Sequence, residues 1–289
     1  MINWFPGHMN KTLRQMHDLN KLCNCFVYVL DARSPSACLN PEFVKVIGDK
    51  PIVYVLNKSD KANDQATTKW KQYFNSLPNS KCVVTNATIS KSCGVITSAI
   101  MELLKNKVEQ NKQNQVNFVF RAMVLGVPNS GKSTIVNNLC GKSRAVTGDK
   151  AGVTKNIQWV SVNPTLQIMD TPGTLWPCFD DENLAYQLAY IGSIKDDVLN
   201  IIEVAGKLAV SLLYIKSNFK ENYKLNIDRQ YDVEDMEHCL QVLESVARKR
   251  GCILKGNEID YERVAKLILN DFRKGSLGKI TFSLPKDND

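Results

Sequence analysis

Short apolar runs alternate with segments of helical periodicity through the larger, N-terminal part of the chain. The runs are rich in valine, isoleucine, leucine and aromatic residues, and most lack the polar alternation of a half-exposed strand, which is typical of strands buried on both faces. They lie at 25–30, 51–56, 81–85, 118–125, 159–162 and 166–169. Strands separated by helical segments predict an α/β fold with a mostly parallel sheet and helices on both faces.

Helical periodicity is clear at both ends of the chain. Apolar positions between 9 and 22 repeat every three to four residues, and the opposite face carries Lys11, Arg14 and Lys21. After about residue 180 the pattern becomes helical throughout, with apolar stripes at 236–247 and 261–272. Asp232 and Asp260 are candidate N-terminal caps of these helices, and Gly251 and Gly275 are expected to end them. We therefore predict an α/β domain at 1–178 and a small helical domain at 179–289.

Composition narrows the possible classes of protein. The chain has 289 residues, a net charge of +8 and an ordinary globular composition. Residues 1–180 contain 21 Lys+Arg against 11 Asp+Glu, and the remainder 16 against 18. A basic first domain suits RNA or a nucleotide phosphate group, and charge alone does not separate the two.

Cysteine spacing and hydropathy argue against several other classes. The nine cysteines include no C-x-x-C pair, and there are three histidines, so free buried thiols are expected rather than zinc. No apolar run reaches the roughly 18–20 residues needed to span a bilayer. The N-terminus lacks the charged-then-apolar pattern of a signal peptide. The cytoplasm is the expected compartment, and an organelle matrix is the alternative.

The strongest motif is a phosphate-binding loop at 126–134, GVPNSGKST, which follows a predicted strand and precedes a helical segment. Glycines let the backbone wrap around phosphates, and N–H groups at a helix start favour negative charge. Lys132 is expected to reach the β- and γ-phosphates, and Ser133 to bind Mg²⁺. The candidate nucleotide-binding residues of this loop are Pro128, Asn129, Ser130, Gly131, Lys132, Ser133 and Thr134.

Two further segments complete a magnesium and γ-phosphate site. Asp170-Thr171-Pro172-Gly173 follows the last apolar run, so Asp170 can support Mg²⁺ through water and the Gly173 N–H can meet the γ-phosphate. Thr154 is the candidate switch residue that joins the magnesium shell when GTP is bound. An ordinary turn threonine is the alternative for Thr154.

A guanine-reading box, Asn57-Lys58-Ser59-Asp60, follows the strand at 51–56. Asp60 can accept two hydrogen bonds from the N1–H and exocyclic amine of guanine, a donor pair that adenine lacks. Lys58 can cover the base plane with its stem, and Asn57 can brace the loop. Asn86-Ala87 is a weaker candidate for a backbone contact to guanine O6. This box precedes the phosphate loop, whereas in an ordinary GTPase it follows it.

The ordered set of motifs closely resembles the circularly permuted GTPases of ribosome biogenesis, namely the ribosome biogenesis GTPase A family and its mitochondrial ribosome-associated relatives. The resemblance covers nearly the whole chain. It includes the segments at 4–9, 31–33, 57–60, 126–134, 152–154, 170–177, 194–196, 249–252 and 271–278. It implies a circularly permuted GTPase domain followed by a helical domain that binds ribosomal RNA and proteins.

The resemblance also implies a function and site roles. The expected activity is GTP hydrolysis coupled to late assembly of the large ribosomal subunit. Separately, we expect the protein to be a monomer off the ribosome. The family lacks the glutamine that usually follows D-x-x-G; here Thr174 stands where its members more often have an aliphatic residue. His8 is then the candidate to position the attacking water, and a helix-capping role is the alternative. Asn129 resembles the asparagine that holds K⁺ in potassium-activated GTPases.

Other interpretations of function stay open at this stage. A nucleotide-holding RNA scaffold with negligible hydrolysis would also lack the glutamine. Attachment to a membrane surface through the basic segment at 9–22 is a third possibility. RNA could be contacted by that segment or by a second basic group in the helical domain, which consists of Arg248, Lys249, Arg250, Arg273, Lys274 and Lys279.

Overall fold

The computed structural model describes residues 7–116, 118–141, 158–176, 181–227 and 229–285. The strands are β1 (Cys25–Asp31), β2 (Ile52–Asn57), β3 (Ser80–Val84), β4 (Phe120–Leu125), β5 (Gln158–Asn163) and β6 (Leu166–Asp170). The helices are α1 (Gly7–Asn20), α2 (Pro35–Cys38), α3 (Pro41–Ile47), α4 (Asp64–Ser76), α5 (Gly94–Leu103), α6 (Lys105–Gln113), α7 (Lys132–Cys140), α8 (Glu182–Tyr190), α9 (Ile201–Tyr214), α10 (Phe219–Tyr223), α11 (Met236–Arg250) and α12 (Tyr261–Lys274). Short 3₁₀ turns lie at Ser59–Lys61 and Asp196–Val198.

The six strands form one sheet in the order β3-β2-β1-β4-β6-β5. All neighbours pair in parallel except β5, which runs antiparallel to β6 at one edge. The predicted α/β class is confirmed. Because parallel strands end at the same side of a sheet, the segments that follow β1, β2, β3, β4 and β6 emerge together there.

Alternate residues of each strand face opposite sides of the sheet, and both sides are covered. In β1, Phe26, Tyr28 and Leu30 belong to a hydrophobic cluster with α1, α3 and α4, and this cluster continues into α8–α12. Val27 and Val29 belong to a second cluster with α5 and α7. Complete burial on both faces explains why this strand is a continuous apolar run.

The C-terminal helices pack with α9 against α11 and α12. The predicted stripe of α12 is buried at Val264, Ile268 and Phe272. In α11 the stripe is buried at Leu243 and Ala247, but Met236 at its start is exposed.

Asp260 caps α12 by accepting from the Arg263 N–H, and Gly275 ends that helix in the left-handed conformation. The cap of α11, however, is Asp235, so the prediction of Asp232 was wrong. Asp232 instead accepts from the Glu234 N–H in a local turn, and the helix begins after it.

Candidate functional site

The loop between β4 and α7 is held tightly against β1. Gly126 and Gly131 adopt φ of 152° and 100°, a region that favours glycine. A Cβ at Gly126 would lie 2.5 Å from the Val29 carbonyl oxygen, so only glycine fits there. Asn129 also has a positive φ, 57°, which asparagine tolerates. The backbone of the loop therefore requires the residue types that the motif contains.

Lys132 is the first residue of α7, and its side chain folds back over the loop. It is 6% exposed, and its Nζ donates to the carbonyl oxygens of Gly126 at 3.0 Å and Val127 at 2.9 Å. Burial lowers the pKa of Lys132 to about 8, although the nearby Asp170 carboxylate opposes this. The ammonium group is thus placed over the loop with little competing water.

Asp170, at the end of β6, faces the start of α7. Its Oδ2 accepts from Ser133 Oγ at 2.9 Å, and the residue is fully buried. Burial raises the pKa of Asp170, while the charge of Lys132 and the hydrogen bonds from Ser133 and the Thr171 N–H oppose the rise. Its Oδ1 has no hydrogen-bond partner in the described part of the chain. An oxygen atom in that position, beside a hydroxyl group, fits a hard cation such as Mg²⁺.

The D-x-x-G segment lies directly against the phosphate loop. A Cβ at Gly173 would stand 2.6 Å from Pro128 Cα and 2.9 Å from Lys132 Nζ. The absence of a side chain at Gly173 therefore permits close approach of the two segments. Thr154, the predicted switch residue, lies outside the described residues.

The guanine-box segment contacts the phosphate loop although about seventy residues separate them in the chain. Asn57 Nδ2 donates to the Ser130 carbonyl oxygen at 2.8 Å, and Asn57 Oδ1 accepts from the Ala87 N–H at 3.0 Å. A Cβ at Gly131 would overlap Asn57 Nδ2. One buried asparagine thus joins the three segments that the sequence assigned to one site.

Lys58 is fixed by a buried acid that sequence reasoning did not assign to the site. Its Nζ donates to the Asn129 carbonyl oxygen at 2.6 Å and pairs with Asp31 Oδ2 at 2.9 Å. Arg33 binds both oxygens of Asp31, at 2.9 and 2.7 Å. Burial by itself would raise the pKa of Asp31, but Arg33 and Lys58 hold it well below its usual range. Asp31 therefore remains ionised and orients Lys58.

A cleft of about 750 Å³ opens between the guanine box and the C-terminal helices. Asp60 is exposed at this cleft, which Asn86, Ala87, Asn129 and Thr134 also line. The Ala87 N–H donates to Asn57, so in this structure it supports the guanine box. The opposite wall comes from the helical segment and contains Ile191, Gly192, Ile194, Lys195, Asp196, Asp197, Asn270, Arg273 and Lys274.

The helical segment is hydrogen-bonded to the phosphate loop through the turn after α8. Asn129 Nδ2 donates to the Gly192 carbonyl oxygen at 2.6 Å, and Ser193 Oγ donates to the Pro128 carbonyl oxygen at 2.7 Å. Arg273 of α12 holds this turn by donating to the carbonyl oxygens of Ala189 and Tyr190 and by pairing with Asp196. The phosphate loop is therefore in direct contact with the C-terminal helices.

The predicted water-positioning residue, His8, lies in the first turn of α1. The stripe on this helix is buried at Met9 and Met16, while Lys11 and Arg14 are exposed.

Sequence reasoning missed Arg33 and Ser193 as residues that organise the site. The segment at 31–33 ends an apolar run and belongs to the family resemblance, but no role in the site was predicted for Asp31. Ser193 stands in an ordinary loop sequence, which offers no comparable signal.

Comparison with known proteins agrees with this geometry. A family model described as 50S ribosome-binding GTPase matches residues 121–251. Ribosome biogenesis GTPase A of Bacillus licheniformis is 37% identical over 291 residues, covering 99% of this chain and 99% of that protein. Its namesake from Thermotoga maritima is 32% identical and covers 99% of this chain and 95% of that protein. The crystal structure of GNP-bound YlqF from T. maritima has a TM-score of 0.65 and 27% identity, covering 96% of this chain and 100% of that chain.

Proposed function

The chain belongs to the ribosome biogenesis GTPase A family and is a GTPase, and on that premise we propose that its GTP cycle serves assembly of the large ribosomal subunit. The observation that supports this most is the contact of Asn57 with the phosphate loop, which joins base-reading and phosphate-binding segments in one site. In this proposal the GTP form binds the assembling particle and the particle in turn favours hydrolysis.

The proposed nucleotide contacts follow the geometry of the site. Lys132 and the backbone N–H groups of the loop bind the β- and γ-phosphates, and the Gly173 N–H meets the γ-phosphate. Asp60 reads the guanine edge, and Lys58 covers the base from a position fixed by Asp31. Asn86 and Ala87 line the same cleft and support the base side of the site.

Ser133, Asp170 and Thr154 are the proposed magnesium-site residues. The buried, unpartnered Oδ1 of Asp170 and the adjacent Ser133 hydroxyl support this proposal for the described residues. A bound Mg²⁺ would neutralise charge on the phosphate oxygens during transfer. The positive charge of Lys132 would further neutralise the charge of the same phosphate oxygens.

His8 is proposed to hold the attacking water. We expect His8→Ala to slow single-turnover GTP hydrolysis by roughly 100-fold, because positioned acid–base groups contribute on that order, while GTP affinity stays unchanged. Rapid-quench kinetics and calorimetry measure the two quantities. His17→Ala is the matched control, since His17 is exposed on the same helix. An unaltered rate in His8→Ala would return residue 8 to a role in starting the helix.

Asn129 is proposed to hold K⁺ beside the phosphates, adding positive charge in the transition state. We expect replacement of K⁺ by Na⁺ to slow turnover by about tenfold or more. Phosphate release in matched potassium and sodium salts checks this. Glycine can also adopt the φ of 57° found at Asn129, so the Asn129→Gly variant keeps the loop backbone conformation accessible. This variant should release phosphate at the same rate in the two salts. Equal wild-type rates in the two salts would remove Asn129 from this role.

The helical segment at 179–289 is the proposed ribosome-binding domain, after a GTPase domain at 1–178. Lys249 and Lys274 are exposed and suited to RNA phosphates, as are Lys11 and Arg14 of α1. Arg273 is not, because it pairs with Asp196 and holds the turn after α8.

The protein is proposed to be a cytoplasmic monomer when it is not bound to ribosomal particles. The curated relatives named above are bacterial, which supports a cytoplasmic site of action. Within the described ranges, no helix combines the length and apolar character that crossing a bilayer requires.

Co-sedimentation with ribosomal particles tests the proposed function. The protein should sediment with the large subunit when a non-hydrolysable GTP analogue is bound and should dissociate from it when GDP is bound. The large subunit should also accelerate GTP hydrolysis, measured as phosphate release. Retention should weaken steeply with added salt if several RNA phosphates are contacted. Equal retention with both nucleotides would contradict the proposed cycle. Retention without any stimulation of hydrolysis would favour the RNA scaffold instead.

A further inference from the structure

After α12, residues 280–283 lie against the segments that follow β1 and β2, and we call these four residues the C-terminal strap. The Ile280 N–H donates to the Lys61 carbonyl oxygen at 3.0 Å, and the Phe282 N–H donates to the Arg33 carbonyl oxygen at 2.9 Å. Lys61 directly follows the guanine box, and Arg33 belongs to the segment that fixes the box lysine. The strap therefore contacts both segments that shape the base side of the site.

Thr281, within the strap, joins these two segments through a single hydroxyl group. Its Oγ1 donates to the Ala32 carbonyl oxygen at 3.0 Å and accepts from the Asn63 N–H at 3.1 Å. Asn63 in turn caps α4 by accepting from the Ala66 N–H at 3.0 Å. A threonine hydroxyl can donate once and accept as well, so this one atom serves both neighbours.

Lys61 is held by the end of α12 as well as by the strap. Its Nζ donates to the Arg273 carbonyl oxygen at 2.9 Å. The last carbonyl groups of a helix lack intrahelical partners and favour a positive charge. A Cβ at Gly275 would stand 3.0 Å from Lys61 Cγ, so the glycine allows the lysine stem to pass close to the helix end.

Asp60 therefore stands between two fixed points, in a 3₁₀ turn of three residues at Ser59–Lys61. Before it, Lys58 is paired with Asp31. After it, Lys61 is bound by α12 and by the strap. Hydrogen bonds weaken steeply as their angle departs from linearity. A carboxylate that accepts two of them from one guanine is thus sensitive to the placement of this turn.

We propose that the C-terminal strap and Lys61 are positioning elements for guanine recognition, which hold the turn that carries Asp60 in its base-reading place. The proposal rests on the base-reading role proposed for Asp60. Binding of the base and docking of the strap then favour each other, because coupling between two sites is reciprocal. GDP and GTP carry the same base, so this coupling responds to an occupied site and not to the γ-phosphate.

The test compares affinities for GTP and ITP in the full-length variants Thr281→Val and Lys61→Met. We expect GTP affinity to fall by about tenfold or more, in line with the loss of one hydrogen bond to a charged group. ITP lacks the exocyclic amine and offers Asp60 one donor instead of two. Its affinity should fall by less, so the ratio of GTP affinity to ITP affinity should decrease. Thr281→Ser, which keeps the hydroxyl group, should restore that ratio.

Thr68→Val is the matched control for the threonine variant. Thr68 is exposed, and its hydroxyl donates to the Asp64 carbonyl oxygen at 2.9 Å within α4. Asp64→Asn is a second control, because the pair of Asp64 with Lys279 beside the strap is exposed and such pairs contribute little. Both controls should keep the wild-type ratio, and a decrease in either as large as in Thr281→Val would overturn the proposal.

Hydrogen exchange at the strap measures the coupling from the other side. The amide hydrogens of Ile280 and Phe282 exchange only when their hydrogen bonds to the guanine-box side open. GDP and GTP should slow this exchange to the same extent, and ITP should slow it less. Exchange that is unchanged by nucleotide would overturn the proposed coupling.

The Asp60→Asn variant separates failure of this proposal from failure of the base-reading site. If Asp60→Asn changes base preference while Thr281→Val and Lys61→Met keep the wild-type ratio, the strap has no role in guanine recognition and the site stands. An equal loss of GTP and ITP affinity would show a merely structural role and would also overturn the proposal. An Asp60→Asn protein with unchanged base preference would overturn both.

Discussion

Lys132→Ala is expected to weaken GTP binding by roughly 100- to 10,000-fold. The ammonium group is buried above the phosphate loop and can donate to both the β- and γ-phosphates. Hydrogen bonds that involve charged groups contribute about 1.5–3 kcal/mol each, and tenfold in affinity corresponds to about 1.4 kcal/mol. Isothermal titration calorimetry with GTP and GDP measures the loss directly.

Lys132→Ala also leaves the Gly126 and Val127 carbonyl oxygens without the donor that binds them in this structure. Thermal melting is therefore needed to show that the variant is folded at the temperature of the titration. Lys69→Ala, at an exposed position of α4, is the matched control and should bind GTP normally. Wild-type affinity in a folded Lys132→Ala protein would refute the phosphate site.

Asp60→Asn is expected to change base preference from guanine to xanthine. In the proposed site the Asp60 carboxylate accepts from two guanine donors, whereas the amide of asparagine can donate to the 2-oxo group of xanthine. Sites that bind a ligand through polar groups reject a mismatched analogue by a factor of about 10⁴–10⁵. We therefore expect the ratio of GTP affinity to XTP affinity to reverse by several orders of magnitude in the variant. Asp60 is exposed in a short 3₁₀ turn, so the fold should tolerate the change.

Displacement assays measure this preference. GTP and XTP are each used to displace a bound fluorescent guanine nucleotide from the wild-type protein and a fluorescent xanthine nucleotide from the variant. Asp64→Asn is the matched control, because Asp64 is an exposed carboxylate four residues away that pairs with Lys279. It should keep the preference for GTP. An Asp60→Asn protein that still prefers GTP would show that guanine is read elsewhere in the cleft.

Much of the sheet and the joining of the motifs could be predicted from local signals. A strand buried on both faces must be apolar throughout, so β1 and β2 stand out against their polar flanks. Motifs that end parallel strands emerge on one side of the sheet, which is why Asn57 and the phosphate loop meet. The start of α11 was predicted wrongly, because Asp232 and Asp235 are both good caps and only tertiary packing selects between them.

The long-range contacts of the site could not be predicted in this way. Arg33 donates to the Phe272 carbonyl oxygen at 3.3 Å, across 239 residues, and Ser193 reaches the phosphate loop across 65. Neither contact follows from periodicity or motif spacing, because both depend on how the C-terminal helices dock. The family resemblance implied a helical domain, but not the side chains that fasten its α8 turn to the loop.

The order of strands in the sheet has a consequence for how the chain is made. β1–β3 form one half of the sheet and β4–β6 the other, and within the described strands the two halves pair through β1 and β4. During synthesis from the N-terminus, the half that carries the guanine box is complete while the half that carries the phosphate loop has yet to be translated. Asn57 gains its acceptor on Ser130 only when the second half arrives, so the guanine-box segment and the phosphate loop are joined only after both halves of the sheet have been made.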